Sequence, residues 1–339
     1  MYEKDNVTLP LVSIIIRSMD RPTLSDALDS VALQTYSNLE VLVVNAKGEH
    51  HSEIGTTCGV SPLRLINQGG LPLGRSQAGN IGLVAVQGAY FSFLDDDDTF
   101  DPDHFSRLVA ALKASDQEIL IYAGVRCIDR SDSERKILNL FAERYEEGKL
   151  LAGNFIPIHA PLVPSKFLQR GIFFDESLDV YEDWDFWLQI ARYYRFTLAD
   201  QVTATYFING GSGVNPITVD EERMRQATLT LYEKWLPRLT SLELWQLSRL
   251  YHDRNRALHI SYRETELLKH NLAGVSSELA RVSGELARVS SELAGVSGEL
   301  ARINDNLMHK QAELVSVYES SSWRITAPLR KLVQWLRSL

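Results

Sequence analysis

The sequence predicts an α/β protein: a mostly parallel sheet with flanking helices, followed by an all-α extension and a C-terminal coiled coil. Three observations carry that reading. Continuous aliphatic runs such as residues 12–16 (VSIII) and 39–44 (LEVLVV) have the pattern of strands buried on both faces. Segments with helical spacing of apolar residues alternate with those runs through the first two hundred residues. From Leu272 onward the pattern changes to five successive heptads.

Pro22-Thr23 opens the first helix, with Leu24, Ala27, Leu28, Val31 and Ala32 on one face. The second strand ends at Asn45, and residues 63–66 read as a short third. A Gly-rich segment, residues 69–74, leads into a helix from about Ser76 to Val86. Its spacing matches neither phosphate-loop motif, so a plain turn is expected there. Residues 90–94 form the next strand. Pro102 starts a helix carrying Phe105, Leu108, Val109 and Leu112. Strands are expected over 119–125 and 156–163, with residues 129–153 as a polar excursion over the site. Ligands of such sheets gather outside the carboxyl ends of the strands. Here those ends are Arg17-Ser18, Asn45 and Asp95–Asp98, so three loops converge on one crevice.

The chemistry concentrates in SFLDDDDTF, residues 92–100. Four adjacent carboxylates repel one another, and burial raises their pKa values unless positive charge sits among them. A solvated acidic turn is one reading. A magnesium or manganese ion at the rim of the sheet, keeping open positions for phosphate oxygens, is the other. A calcium loop is disfavoured, because its sixth and twelfth positions would be Phe100 and Ser106. A second acidic cluster, YEDWDFW, spans residues 181–187. Glu182 and Asp183 open a helix whose Trp184, Trp187, Leu188 and Ile190 belong to the core. The two acids either complement the helix dipole or present a general base to the crevice.

Composition narrows the partners. The chain has 339 residues, 45% hydrophobic and 23% charged, with net charge −9, which argues against nucleic-acid binding. Two cysteines, Cys58 and Cys127, supply neither a disulfide framework nor a zinc site and fit a reducing compartment. The polar N-terminus is not a secretory signal, and no apolar run is long enough to span a bilayer. A cytoplasmic location follows, with any membrane contact peripheral on the inner face.

Residues 219–271 read as helices packed on the preceding domain. In residues 272–310, Leu272, Leu279, Leu286, Leu293 and Leu300 alternate with Val275, Val282, Val289, Val296 and Ile303. That is a coiled-coil seam roughly 50 Å long. Leu followed by a β-branched residue in this register favours more than two strands. A homo-oligomer is one outcome, and a spacer helix packed on its own domain the other. Residues 311–339 end in a basic amphipathic helix, with Arg324, Arg330, Lys331 and Arg337 beside an apolar stripe. It docks either on its own bundle or on an anionic membrane surface.

The ordered motifs VSIII, LDSVALQTYSNLEVLVVN, AGNIGL, FSFLDDDDTF, FFDESL and YEDWDFWLQIA resemble the family 2 inverting glycosyltransferases of the GT-A (Rossmann-like) fold, over about residues 10–215. The resemblance implies a catalytic domain over residues 1–218 that uses a nucleotide-sugar donor and a glycan or lipid-linked glycan acceptor, as in surface-polysaccharide synthesis. It implies Asp95 and Asp97 as the outer residues of an Asp-x-Asp that binds donor and Mn2+ or Mg2+, with Asp97 expected as the direct metal ligand of the two. Asp183 is then the base that deprotonates the acceptor, and Glu182 either positions it or contacts the acceptor. Arg17, Asp20, Asn45, Arg75, Asn80, Asp95 and Asp96 are donor-binding candidates. Arg17 and Met19 replace the usual Pro and aromatic residue, Asn45-Ala46 replaces Asp-Asp, Gly79 replaces an Arg, and Asn209 stands where relatives often carry His. Two rivals remain: a degenerate domain acting as a coiled-coil scaffold, and a nucleotidyltransferase. The second would need a basic glycine-rich loop that residues 17–22 do not supply.

Overall fold

Burial on both faces decides where the first strands lie. Every residue of β1 (Val12–Ser18) and β2 (Leu39–Asn45) is buried, which places β1 at the centre of the sheet. The computed structural model describes residues 9–67, 70–114, 119–131, 135–178, 180–208 and 221–338. After β1 come α1 (Leu24–Ala32), β2, β3 (Thr57–Cys58), β4 (Ser61–Ile66), α2 (Arg75–Ala85), β5 (Tyr90–Asp95), β6 (Thr99–Phe100) and α3 (His104–Lys113). Then follow β7 (Ile119–Asp129), β8 (Ile137–Phe141), α4 (Lys149–Ala152), β9 (Pro161–Pro164), α5 (Glu182–Ala191), β10 (Arg195–Ile208) and α6 (Glu221–Trp235). The chain divides into two units, Met1–Arg254 and Asn255–Leu339.

In the first unit the sheet order is β3-β4-β2-β1-β5-β9-β7-β10-β6, with β8 on β7. The segment β4-β2-β1-β5 is parallel throughout. Antiparallel β9 joins β5 to β7, and β7 and β10 then run parallel. The sheet is therefore mixed, with its parallel part where the aliphatic runs predict it. Of the expected 156–163 strand only the last three residues are strand, within β9 (Pro161–Pro164). Pro157 and Pro161 lack an N–H and restrict the residues before them, and the Ala160 amide turns back to the Pro157 carbonyl. The polar segment after residue 129 is more regular than expected, since it contains β8 and α4.

An aromatic cluster fastens α5 to the sheet. Phe93 of β5 meets Phe91, Phe174 and Phe186 edge-on at centroid distances of 5.8, 5.2 and 6.3 Å, and Phe174 stacks on Phe186 at 4.3 Å. Trp184 and Trp187 are buried as their spacing requires, and each indole N–H reaches a backbone carbonyl, of Leu150 and Ile156. Behind α5, Leu231 and Trp235 bury α6. Fully buried Asp185 accepts hydrogen bonds from Lys234, Trp235 and Gln189, so that acid serves packing.

Ser241–Glu319 is one helix, α7, and α8 (Ser321–Ile325) and α9 (Ala327–Leu336) follow it. In the second unit the heptad residues from Leu272 to Ile303 are all exposed, between 47% and 67%. The glycines among them meet no neighbouring atoms. Ser320 caps α8 through the Trp323 amide, and the Arg330 guanidinium lies 3.6 Å from the Trp323 ring centroid. Leu329, Leu332, Val333 and Leu336 of α9 are exposed. Among the described residues no helix is long and apolar enough to cross a membrane.

Phe93→Ala removes the hub of the aromatic cluster and is expected to lower the unfolding free energy of the sheet domain by about 3–5 kcal/mol in urea denaturation. A loss below about 1 kcal/mol would mean the cluster collapses to fill the gap.

Candidate active site

Strand register builds the site. In the parallel ladders Arg17 is paired with Asp95 and Ser18 with Asn45, so the carboxyl ends of β1, β2 and β5 lie side by side. Beside them a cavity of about 290 Å³ is lined by Arg17, Arg21, Arg75, Asp95–Asp98 and Asn154, with His159, Tyr181, Glu182 and Asp183 on its other walls.

The four adjacent aspartates have four different environments. Asp95 is gripped by the fork of Arg17, Nε to Oδ1 at 2.8 Å and Nη2 to Oδ2 at 3.0 Å. Burial pushes the Asp95 carboxyl up, but the Arg17 guanidinium overrides this and holds it below the usual range. Asp96 accepts from the Met19 amide at 2.7 Å and from Arg21 at 3.0 Å. Asp97 takes a second bond from the same Arg21 nitrogen at 2.8 Å. Burial raises both carboxyls, and for Asp97 repulsion from Asp95 adds to it. Asp98 is enclosed, accepts the Phe207 amide, and lies 3.4 Å from His159 Nδ1. Burial first, then Asp95 and Asp97, push it well above the carboxylate range, while burial pulls His159 down to about 4.

Helix α5 supplies the other wall. Tyr181, just before it, has φ of +64°, a left-handed conformation costing about 1–3 kcal/mol for a residue with a Cβ. That turn brings Glu182 and Asp183 to the cavity in the first turn of the helix. Glu182 Oε1 accepts from Arg17 Nη1 at 3.0 Å. Asp183 accepts from Asn154 Nδ2 and from the Trp184 amide, both at 2.8 Å. Part of Asp183 stays open to the cavity, yet protein closes round its carboxylate. Burial, then repulsion from Glu182, pushes its pKa up to about 7, against the Trp184 amide, Arg17 and Asn154. A carboxylate poised there can take a proton from a hydroxyl near neutral pH.

The structure thus brings together Arg17, Arg75, Asp95, Asp96, Asp97, Glu182 and Asp183. It does not bring Asp20, Asn45 or Asn80 into the cavity lining. Asp20 pairs with Lys47 and Ser52. Asn45 is fully buried and bonds the 47–49 turn and the Asn67 carbonyl. Asn80 clamps Phe174 and Glu176. All three hold loops at the rim. Asn209 and Gly69 lie outside the described residues. Sequence reasoning missed Arg21, Asn154, His159 and Tyr181. Arg21, one residue before Pro22, was the one with a local signal, a cation close to the end of a strand.

Among the described residues no three His, Cys, Asp or Glu side chains are arranged to hold a metal. Magnesium and manganese do not require that, because one or two carboxylates and substrate phosphates complete their shell. The hard oxygen donors at the cavity wall fit such an ion, and Asp96 and Asp97 both pair with one part-exposed arginine, Arg21, 38% accessible.

A mixed α/β sheet with carboxylates and arginines converging at its carboxyl edge defines an α/β domain with a polar ligand cavity. Residues 13–173 match the model of glycosyl transferase family 2. Over that stretch the chain is similar to this family and to curated glycosyltransferases. An uncharacterized glycosyltransferase of Rickettsia prowazekii is 31% identical over 198 residues, covering 56% of this chain and 61% of the relative. One of Bacillus subtilis, YwdF, is 29% identical over 191 residues, covering 54% and 69%. The chain therefore spans about three fifths of the Rickettsia prowazekii relative's length. Among solved structures, S. aureus TarS 1-349 in complex with UDP aligns with TM-score 0.47 and 16% identity, over 59% of this chain and 61% of that one. The mannosyltransferase PcManGT of Pyrobaculum calidifontis, in complex with GDP-Man and Mn2+, aligns with TM-score 0.45 and 19% identity, over 68% and 65%.

Proposed function

We propose that this protein is a glycosyltransferase that moves a sugar from a nucleotide-sugar donor to a hydroxyl of a glycan or lipid-linked glycan acceptor, with inversion, in the assembly of a surface polysaccharide. The observation that carries the reading is the arrangement of Asp183. It is a helix-fixed carboxylate with a pKa near 7, facing the same cavity as Asp95, Asp97, Arg75 and Arg17. Those side chains suit a diphosphate on one wall and an attacking hydroxyl near the other. Asp183 takes the acceptor proton as the hydroxyl oxygen attacks the anomeric carbon from the face opposite the departing diphosphate, and a single displacement of that kind inverts the centre. Arg75, at the N-terminus of α2, adds positive charge beside the leaving group. Asp97 would hold a manganese or magnesium ion, whose chemistry is to neutralise charge on the departing diphosphate. The heptad seam makes the protein a homo-oligomer, and α9 lays its apolar face and basic flank on the inner membrane surface.

Calorimetric titration of UDP, GDP and dTDP, each with and without manganese, is expected to show metal-enhanced binding of one of them. Binding of none by well-folded protein would favour a scaffold over an enzyme.

Asp183→Asn is expected to lower turnover by about 10²–10⁴-fold with nucleotide affinity unchanged. Because the base works ionised and its pKa is raised, wild-type kcat/KM should fall as pH drops below about 7. Wild-type turnover by the variant would remove Asp183 from the mechanism.

Light scattering is expected to give a multiple of the chain mass, reduced to the monomer by Leu279→Glu with Leu286→Glu. Flotation with anionic liposomes should require residues 320–339. A monomeric wild type, or equal flotation after the deletion, would count against the seam or the tail respectively.

A further inference from the structure

The seam of α7 is longer than its repeat. The heptad register of residues 272–303 continues backward through Leu268 and Leu258 and forward through Leu307, Leu314 and Val317. Residues 258–317 make roughly 90 Å of helix, all within the second unit. Each of the added apolar side chains is exposed. Three polar residues interrupt the seam, Ser261 and Thr265 before the repeat and Lys310 after it, and the Lys310 ammonium turns to Glu313 of its own helix at 2.7 Å. The flanking positions carry direction. With each repeat leucine at a and each valine at d, position g is a glutamate (Glu278, Glu285, Glu292, Glu299) and position e of the first four repeats is a serine. Arg281 and Arg288 lie at c, away from the seam, and bond Glu278, Glu285 and Glu292 of the same helix. Between antiparallel strands g faces g, so the glutamate rows would oppose one another along the whole repeat. Between parallel strands each g faces the e position of the neighbour's next heptad. Glu278, Glu285 and Glu292 then meet the hydroxyls of Ser283, Ser290 and Ser297, Glu299 meets the Asn304 amide, and Glu264 meets Lys269. Every one of these carboxylates gains a donor.

We propose that α7 associates with further copies of this chain as parallel strands in register, along residues 258–317. This rests on the self-association reading above and adds its direction and alignment. The near-identical heptads cannot set the alignment, since a slip of one heptad still lays leucine on leucine within the repeat. The flanks set it. In register, Ser261 and Thr265 each meet their counterparts, polar on polar, and Glu313 offsets the repulsion where Lys310 meets Lys310. A slip of one heptad would instead bury Lys310 against Ile303 and Val317, and Thr265 against Leu272. Parallel strands also bring the basic tails of all copies to one end of the bundle. Arg324, Arg330, Lys331 and Arg337 of every copy then meet an anionic surface together, which multiplies a weak contact.

The test is disulfide trapping in the full chain, whose own Cys58 and Cys127 are buried. A disulfide needs Cα atoms within about 7 Å of each other, so it reports which seam positions face one another. Leu272→Cys and Ile303→Cys, each expressed alone and mildly oxidised, should give disulfide-linked dimers. When the two variants are coexpressed, peptide mapping should find links between like positions only. Ser277→Cys, at the outward f position, should stay unlinked and controls for random collision. Antiparallel strands would link Leu272→Cys to Ile303→Cys and neither variant to itself. A slip of one heptad would link Leu272→Cys to Leu279→Cys in the same way. Either result overturns the proposal while leaving self-association standing. No linkage in any sample, with a wild type that light scattering finds monomeric, strikes the self-association reading itself and the proposal with it.

Discussion

The site depends on keeping buried negative charge stable at the carboxyl edge of β5. Four consecutive carboxylates cannot all ionise in a low-dielectric wall. The structure resolves the conflict by giving each a different set of partners: the fork of Arg17 for Asp95, the Met19 amide and Arg21 for Asp96, Arg21 alone for Asp97, and the Phe207 amide for Asp98. Enclosure first, then Asp95 and Asp97, push the Asp98 carboxyl well above its usual range, against the Phe207 amide and Arg130. What looks uniform in the chain is therefore graded, from Asp95, whose pKa is held down, to Asp98, whose pKa is pushed well up.

Helix α5 carries the second half of the conflict. Its apolar face, Trp184, Trp187, Leu188 and Ile190, is set against the sheet, and Phe186 joins the Phe93–Phe174 cluster directly behind β5. That packing fixes where the helix begins, and the left-handed Tyr181 turns the chain so that Glu182 and Asp183 face the cavity. Glu182 raises the cost of ionising Asp183, and the Trp184 amide, Arg17 and Asn154 offset part of it. Core packing and site electrostatics are thus one problem, because the aromatic cluster holds the acids at a separation the cations can manage.

The second unit obeys a different constraint. A single helix cannot cover its own seam, so the heptad leucines and valines stay exposed along α7. The glycines there face open space, where they weaken the helix without disturbing any contact. In α8 and α9 the Ser320 cap and the stacking of Arg330 on Trp323 organise the basic tail from within itself.

The sequence by itself determined the strands β1, β2 and β5, the aromatic face of α5, the heptad seam and the presence of two acidic clusters. Each of these is a local pattern of burial or periodicity, and local patterns survive in one dimension. It also overextended the strand before Pro161 and treated the segment after residue 129 as irregular, since short edge elements such as β8 are held by a neighbour more than by their own composition. Only the tertiary structure decided which residues of the candidate site meet. Ladder register put Arg17 on Asp95, and the chain folded Asn154 onto Asp183 across 29 positions. The same folding put the side-chain amides of Asn45 and Asn80 onto backbone carbonyls of the neighbouring loops, outside the cavity lining. Pairing between distant segments is a property of the packed sheet, and no window of sequence contains it.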